Sequence, residues 1–209
     1  MRILDKYELF IFDWDNTLST SSFLVNVIPR LKHACIGEHK VHNTARYDHV
    51  IVKNFKIAET ENEIKSIIYD LNTRIMKPKL KPSSAELINL LKRRHKKIAI
   101  FSNAQRDRLI TEMRRLMPVN DFDFVLSASS IKGYKPNPLG LLILMNKFRI
   151  AKSKTLYVGD AVVDVEAAKY AGIDCAIVCD GLGAYGEIRQ AKPAYIFKSV
   201  YALLENLKQ

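Results

Sequence analysis

The stretch FIFDWDNTL, residues 10–18, decides the fold. Three apolar residues run directly into two carboxylates, Asp13 and Asp15, and the small polar residues Asn16 and Thr17 follow. An apolar run of this length, ended by a turn-prone Asp-Asn pair, is typical of a buried strand that ends where the acids begin. Two carboxylates at i and i+2 are costly there unless a cation or a proton lies between them. Because ligands bind at the carboxyl ends of strands in an open α/β sheet, the stretch predicts a metal-assisted carboxylate site.

Strands and helices alternate regularly beyond residue 80. The predicted strands are KIAIFS, DFVLSA, TLYVGD, DCAIV and AYIF, and each is followed by a helical pattern. Such alternation indicates βαβ units, and hence a parallel sheet with helices on both faces. We therefore predict one Rossmann-like α/β core, made of residues 1–18 and 81–209. Within it, Ser83 or Ser84 is the expected N-cap of the first helix, and Gly172 is expected to end a later one.

Residues 19–80 are predicted to be an insertion after the first strand. Periodicity is poor in the middle of this range, but ETENEIKSIIYDLNTRIM, residues 59–76, has isoleucines and a leucine at helical spacing. The stretch KPKLKP, with two prolines, ends that pattern. We therefore expect a small and largely helical unit here.

Composition limits the class of protein. Hydrophobic residues make up 48% of the chain, which is enough for a sizeable core and argues against disorder. The three cysteines form no CxxC pair, so neither a disulfide framework nor a structural zinc site is expected. No stretch approaches 18 apolar residues, and the first ten residues do not resemble a secretory signal. We expect a cytoplasmic protein that does not enter membranes.

The formal net charge of +11 favours anionic partners such as phosphates, nucleic acid or membrane surfaces, although a basic solvated surface explains it equally well. The basic residues are spread through the chain, and we find neither an RNA-binding signature nor a helix-turn-helix pattern. Nucleic acid is therefore not the expected partner. A basic protein that keeps this fold to bind nucleic acid or an acidic partner remains the alternative hypothesis.

Polar residues also follow three later predicted strands. They are Ser102 with Asn103, Lys135 in KGYKPNP, and Asp160 with Asp164. Each group alone has an ordinary explanation, such as a helix N-cap, but together they form a pattern. Four clustered aspartates would repel one another, and a hard divalent cation with oxygen ligands, such as Mg²⁺, would relieve that repulsion. Such a cation can polarise a phosphoryl group, which a lysine and a serine hydroxyl can also bind.

Two carboxylates beside a bound phosphoryl group can take different roles in its transfer. One can act as a nucleophile and form an aspartyl-phosphate. The other can donate a proton to the leaving group and then accept one from water. The sequence therefore predicts phosphoryl transfer at the ends of these strands.

These motifs resemble those of the haloacid dehalogenase superfamily of phosphohydrolases. Its DxDxT motif matches DWDNT, its serine or threonine motif matches FSNA, its lysine motif matches GYKPNP, and its GDxxxD motif matches GDAVVD. All four occur in order between residues 10 and 164. Asn16 departs from the glycine that is commoner in the family, but asparagine tolerates left-handed backbone conformations.

The resemblance implies a role for each site residue. Asp13 would be the nucleophile and Asp15 the general acid and base, and the acid at position 15 favours phosphatases over dehalogenases. Both would contribute to the metal site, Asp15 through its backbone carbonyl, together with Asp160 and Asp164. The phosphoryl group would be bound by the second and third motifs, at Ser102, Asn103 and Lys135.

The resemblance also implies a mobile helical cap of the C1 type at residues 19–80, as in phosphoglycolate-phosphatase-like members. Because the cap would face the leaving group, substrate choice should depend on it. Its candidate contacts are Lys40, His42, Arg46 and Arg74. The expected function is Mg²⁺-dependent hydrolysis of a small phosphorylated metabolite. A nucleotidase and a sugar-phosphate phosphatase or mutase stay open, and no feature of the sequence indicates an oligomeric state.

Overall fold

The computed structural model describes residues 2–20, 78–131, 133–179 and 185–209. These residues form a six-stranded parallel sheet with the strand order β3-β2-β1-β4-β5-β6, which confirms the predicted Rossmann-like α/β class. Strand β1, the first strand along the chain, therefore lies in the middle of the sheet. The strands are β1 Leu9–Phe12, β2 Lys97–Ser102, β3 Phe124–Ser127, β4 Thr155–Gly159, β5 Asp174–Val178 and β6 Tyr195–Phe197.

A helix follows each of the strands β2 to β6, as predicted. No helix of the described ranges is both long and apolar enough to cross a membrane. Short 3₁₀ turns lie at Val119–Asp121 and Lys152–Lys154. The helices are α1 Ile3–Lys6, α2 Ser84–Arg93, α3 Arg106–Leu116, α4 Ala128–Ile131, α5 Leu139–Phe148, α6 Val162–Ala171, α7 Tyr185–Ala191 and α8 Val200–Lys208.

Strand β1 is buried on both faces. Its alternate side chains enter two separate hydrophobic clusters, as the period of a strand requires. Phe10 and Phe12 pack in a cluster with residues of α2 and α8, whereas Leu9 and Ile11 pack in a cluster with residues of α5 and α6. This packing on both sides fixes the point at which β1 ends and the acidic residues begin.

The chain leaves the sheet domain and returns to it at neighbouring points. The amide of Thr20 donates to the carbonyl of Lys79 at 2.7 Å, and the amide of Lys81 donates to the carbonyl of Leu18 at 2.9 Å. The contacts between residues divide the chain into two compact units. One unit is Met1–Thr20 with Lys79–Gln209, and the other is Ser21–Pro78. The helical character of the predicted cap concerns residues outside the described ranges and stays a prediction.

The predicted helix ends have different outcomes. Ser83 lies at the N-cap of α2, but its φ of 69° is left-handed and its side chain makes no capping bond. A capping serine normally needs an extended backbone to reach the helix amides. The hydroxyl of Ser84 instead donates to the carbonyl of Leu18 at 2.9 Å and so ties α2 to the segment after β1. Gly172 ends α6 with a φ of 73°, as predicted.

Gly140 in α5 gives a first test of the packing. A Cβ at this position would lie 2.1 Å from Cε2 of Phe101, which is fully buried on β2. We expect Gly140→Ala to lower the free energy of unfolding by about 1–3 kcal/mol through overpacking, as measured by urea denaturation. Gly186→Ala in α7 is the matched control, because a Cβ there meets nothing within 4 Å. Equal stability of the two variants would contradict this account of the α5 packing.

Candidate active site

Asp13 is the first residue after β1, and its carboxylate lies beside a buried lysine. Oδ1 of Asp13 is 2.9 Å from Nζ of Lys135, and Lys135 is also 2.8 Å from Oδ1 of Asp164. All three side chains are at most 7% exposed. Burial raises the pKa of Asp13 to about 7, although the charge of Lys135 opposes this shift. Burial favours the neutral amine of Lys135, but the charges of Asp13 and Asp164 outweigh it and raise the pKa of Lys135.

Asp164, in the first turn of α6, organises the neighbouring groups. Its Oδ1 accepts from Lys135 and from the Tyr157 hydroxyl, at 2.8 and 2.9 Å. Its Oδ2 accepts from the backbone amides of Asp160 and Ala161, at 3.1 and 3.0 Å. Asp164 therefore fixes both the lysine and the loop that carries Asp160.

The turn between β4 and α6 leaves no room for a larger residue at Gly159. A Cβ at Gly159 would lie 2.4 Å from Cγ of Asp164. The GDxxxD motif therefore needs a glycine at position 159, because the backbone at the end of β4 approaches the carboxylate of Asp164 too closely for any side chain.

Three carboxylates meet at the end of the sheet. One oxygen each from Asp13, Asp160 and Asp164 lie within 4.8 Å of one another. The hydroxyl of Thr17 donates to Oδ1 of Asp160 at 3.2 Å. Burial, and next the charge of Asp164, raise the pKa of Asp160 well above its usual range. Asp13 and Asp164 share the single charge of Lys135, and clustered carboxylate oxygens suit a hard divalent cation.

The carboxylate of Asp15 has a different partner. It accepts two hydrogen bonds from the Arg108 guanidinium on α3, at 3.1 and 2.5 Å. It lies outside the three-acid group, so a contribution of Asp15 to a metal would come from its backbone carbonyl, as the resemblance implies. Arg108 also donates to Glu112 at 2.9 Å, and Glu112 accepts from the indole of Trp14 at 3.2 Å.

The residues at the end of β2 support the lysine loop. Oδ1 of Asn103 accepts from the backbone amide of Lys135 at 2.9 Å, and the Asn103 side chain is otherwise exposed. Ser102 is 1% exposed, and its hydroxyl accepts from the amide of Ala104 at 3.1 Å. Both residues lie at strand ends, as predicted, and their expected phosphate contacts stay predictions. The cap candidates lie outside the described residues: Lys40, His42, Arg46 and Arg74.

Three contributors were missed by the sequence reasoning: Arg108, Glu112 and Tyr157. Arg108 and Glu112 are spaced i and i+4 on a helix, and this spacing could have predicted their ion pair. The spacing does not indicate that Asp15 is a second partner of Arg108. Tyr157 lies within an apolar strand pattern, which favoured a purely packing role. Trp14 is fully buried in the core. Asn16 has a φ of 57°, which agrees with its tolerance of left-handed backbone.

Comparison with known families agrees with this geometry. The family model described as haloacid dehalogenase-like hydrolase matches residues 10–178, which include all the core-site residues named above. The chain belongs to this family. Among solved structures, a haloacid dehalogenase-like hydrolase from Bacteroides fragilis superposes with a TM-score of 0.73 at 24% identity, over 95% of this chain and 100% of that one. At this identity the superposition shows a shared fold.

Curated relatives of this haloacid dehalogenase-like hydrolase have names that refer to phosphate chemistry. A phosphoglycolate phosphatase from Pseudomonas fluorescens is 26% identical over 124 residues, which are 59% of this chain and 45% of the relative. Pyrophosphatase PpaX from Halalkalibacterium halodurans is 28% identical over 120 residues, which are 57% of this chain and 56% of the relative. The chain therefore spans about half of the length of these relatives.

Proposed function

We propose that this haloacid dehalogenase-like hydrolase is a Mg²⁺-dependent phosphatase that hydrolyses a small phosphorylated metabolite through an aspartyl-phosphate. The observation that carries the proposal is the position of Asp13. Its carboxylate lies at the end of the central strand, 2.9 Å from a buried lysine and within a group of three acids. A nucleophile, a cation for phosphoryl oxygens and a set of metal ligands are thus within one site.

In the proposed reaction, a carboxylate oxygen of Asp13 forms a bond to phosphorus while the bond from phosphorus to the leaving oxygen breaks. Asp15 gives a proton to that leaving oxygen. Water then attacks the phosphorus of the aspartyl-phosphate, Asp15 accepts the water's proton, and the carboxylate of Asp13 is regenerated as phosphate leaves. Lys135 and Ser102 bind the non-bridging oxygens, whose charge Lys135 offsets throughout.

The donor set suits the proposed metal. Asp13 and Asp160 would hold Mg²⁺ with the carbonyl of Asp15, while Asp164 keeps Asp160 in place through its bond to the Asp160 amide. When bound, the metal would neutralise charge on the acids and on the phosphoryl group. Burial raises the pKa of both Asp13 and Asp160, and a bound cation would favour the ionised form of each acid.

A substrate panel tests the proposed activity. It contains para-nitrophenyl phosphate, 2-phosphoglycolate, pyrophosphate, nucleoside monophosphates and sugar phosphates. We expect Mg²⁺-dependent phosphate release that EDTA abolishes and excess Mg²⁺ restores. Turnover that is unaffected by EDTA would contradict the metal requirement. Salt-sensitive binding of nucleic acid, with no turnover of any panel member, would instead favour the basic binding protein.

Thermal unfolding tests the metal site without any substrate. A ligand that binds only the folded chain at 100 times its Kd stabilises it by about 2.7 kcal/mol, so saturating Mg²⁺ should raise the unfolding temperature. The rise should be larger at pH 8 than at pH 5.5. Burial raises the pKa of Asp13 to about 7, so at pH 5.5 this acid must lose a proton before it binds metal.

Asp160→Asn should abolish the stabilisation by Mg²⁺. Without metal the variant should be at least as stable as wild type at pH 8. The folded state raises the pKa of Asp160 well above its usual range, so the ionised carboxylate destabilises the folded chain at this pH, and the neutral amide does not. Asp5→Asn is the matched control, since Asp5 is an exposed residue of α1 paired with Arg2. An equal response of wild type and Asp160→Asn to Mg²⁺ would remove Asp160 from the metal site.

A further inference from the structure

Helix α3 holds Asp15 through a largely buried chain of polar contacts. The Arg108 guanidinium donates to both carboxylate oxygens of Asp15, and only 15% of the Arg108 side chain is exposed. Two parallel hydrogen bonds from a planar guanidinium define the plane of the carboxylate as well as its distance. Solvent-exposed ion pairs seldom impose such an orientation.

Arg108 is itself held from the other side. Its Nη1 donates to Oε1 of Glu112 at 2.9 Å, one helical turn further along α3. Glu112 is only 4% exposed, and a buried carboxylate is rare unless it is paired. Its other oxygen accepts from the indole of Trp14 at 3.2 Å.

These contacts form a closed ring. Trp14 is fully buried and adjoins Asp15 in the chain, so the path from Trp14 through Glu112 and Arg108 returns to Asp15. The ring therefore fixes the side chain of residue 15 relative to the backbone that also carries Asp13. Neither Arg108 nor Glu112 belongs to the three-acid group, so the ring acts on the side chain of Asp15 and not on the carboxylates of that group.

We propose that Arg108, held by Glu112, is a positioning residue that aims Asp15 at the leaving-group oxygen. The proposal rests on the proposed phosphatase function and adds a residue that the four motifs do not include. Proton transfer requires the acid within hydrogen-bond reach of the leaving oxygen, and small displacements of such a group are costly to the rate. Loss of Arg108 should therefore weaken proton delivery more than phosphoryl binding.

The test compares two leaving groups. The kcat/KM value reports the steps up to departure of the leaving group, and phenoxide needs a proton far more than the less basic 4-nitrophenoxide does. We expect Arg108→Gln to lower kcat/KM for phenyl phosphate at least about tenfold more than for para-nitrophenyl phosphate, within the range of general acid catalysis. Arg108→Lys should show an intermediate and still selective loss. Arg114→Gln, an exposed arginine on the same helix, is the matched control and should show none.

A folding defect is distinguishable from a positioning defect. Arg108→Gln leaves Glu112 buried without its guanidinium, whereas the double variant Arg108→Gln/Glu112→Gln leaves no such unpaired acid. The double variant should remain folded by circular dichroism and keep the selective loss. An equal loss with both substrates, or no loss, would overturn the role of Arg108 while the phosphatase proposal stands. A wild type that is inactive on both phosphates would overturn the phosphatase proposal itself, and the role of Arg108 with it.

Discussion

Asp13→Asn should abolish phosphatase turnover and leave the chain folded. The amide has nearly the same shape as the carboxylate but is not a nucleophile, so no aspartyl-phosphate can form. Lys135 keeps Asp164 as a buried partner at 2.8 Å, which limits the structural damage. Removal of a nucleophile costs on the order of 10³–10⁶ in kcat, and we expect a loss in that range on para-nitrophenyl phosphate.

Rapid-quench mass spectrometry separates loss of the nucleophile from other causes. Wild type should gain one phosphoryl group during turnover, and Asp13→Asn should gain none. Asp5→Asn, which also converts an acid to an amide but on exposed α1, should retain full activity and the phosphoryl adduct. Undiminished turnover by Asp13→Asn would exclude Asp13 as the nucleophile, even with the fold intact by circular dichroism.

The sheet was predictable because it depends on patterns that are local in the sequence. The run FIF before Asp13 reads as a buried strand, and the structure buries Leu9–Phe12 completely in the middle of the sheet. Regular alternation of strand and helix then permits little besides a parallel α/β sheet. Because parallel strands end at one edge, the approach of Asp13, Lys135 and Asp160 to one another could be expected from their positions after predicted strands.

The support around the site was not predictable by the same reasoning. The contact of Arg108 with Asp15 depends on the rotation of α3 about its own axis, and a helical pattern in the sequence leaves that rotation open. The hydroxyl of Tyr157 reaches Asp164 across the turn between β4 and α6, and an apolar strand pattern does not indicate such a contact. Ser83 shows the limit of capping rules, since a left-handed backbone at the N-cap makes its hydroxyl unsuitable and Ser84 ties the segment down instead.

Lys135→Met should cause the largest loss of stability among the site variants. Lys135 contacts both Asp13 and Asp164, at 2.9 and 2.8 Å, and its side chain is only 4% exposed. Removing one partner of a buried ion pair leaves uncompensated charge and costs about 3–5 kcal/mol. We expect a loss of this size in the free energy of unfolding at pH 8 without metal, together with loss of phosphatase activity.

The pH dependence of Lys135→Met distinguishes lost charge from lost packing. The folded wild type raises the pKa of Lys135, so the lysine stays protonated between pH 5 and pH 8 and its own titration contributes no change in stability over that range. In the variant, acids that are buried without a cation are destabilising when ionised, and protonation at pH 5 relieves them. The loss in the free energy of unfolding, measured by urea denaturation, should therefore be smaller at pH 5 than at pH 8.

The loss in the double variant Lys135→Met/Asp13→Asn should also be smaller than the sum of the losses in the two single variants, because the two side chains are in contact. Lys169→Met, at an exposed position of α6, should change stability by no more than about 0.5 kcal/mol. A deficit in Lys135→Met that is equal at both pH values would mean that the methylene packing of Lys135, and not its charge, holds the site together.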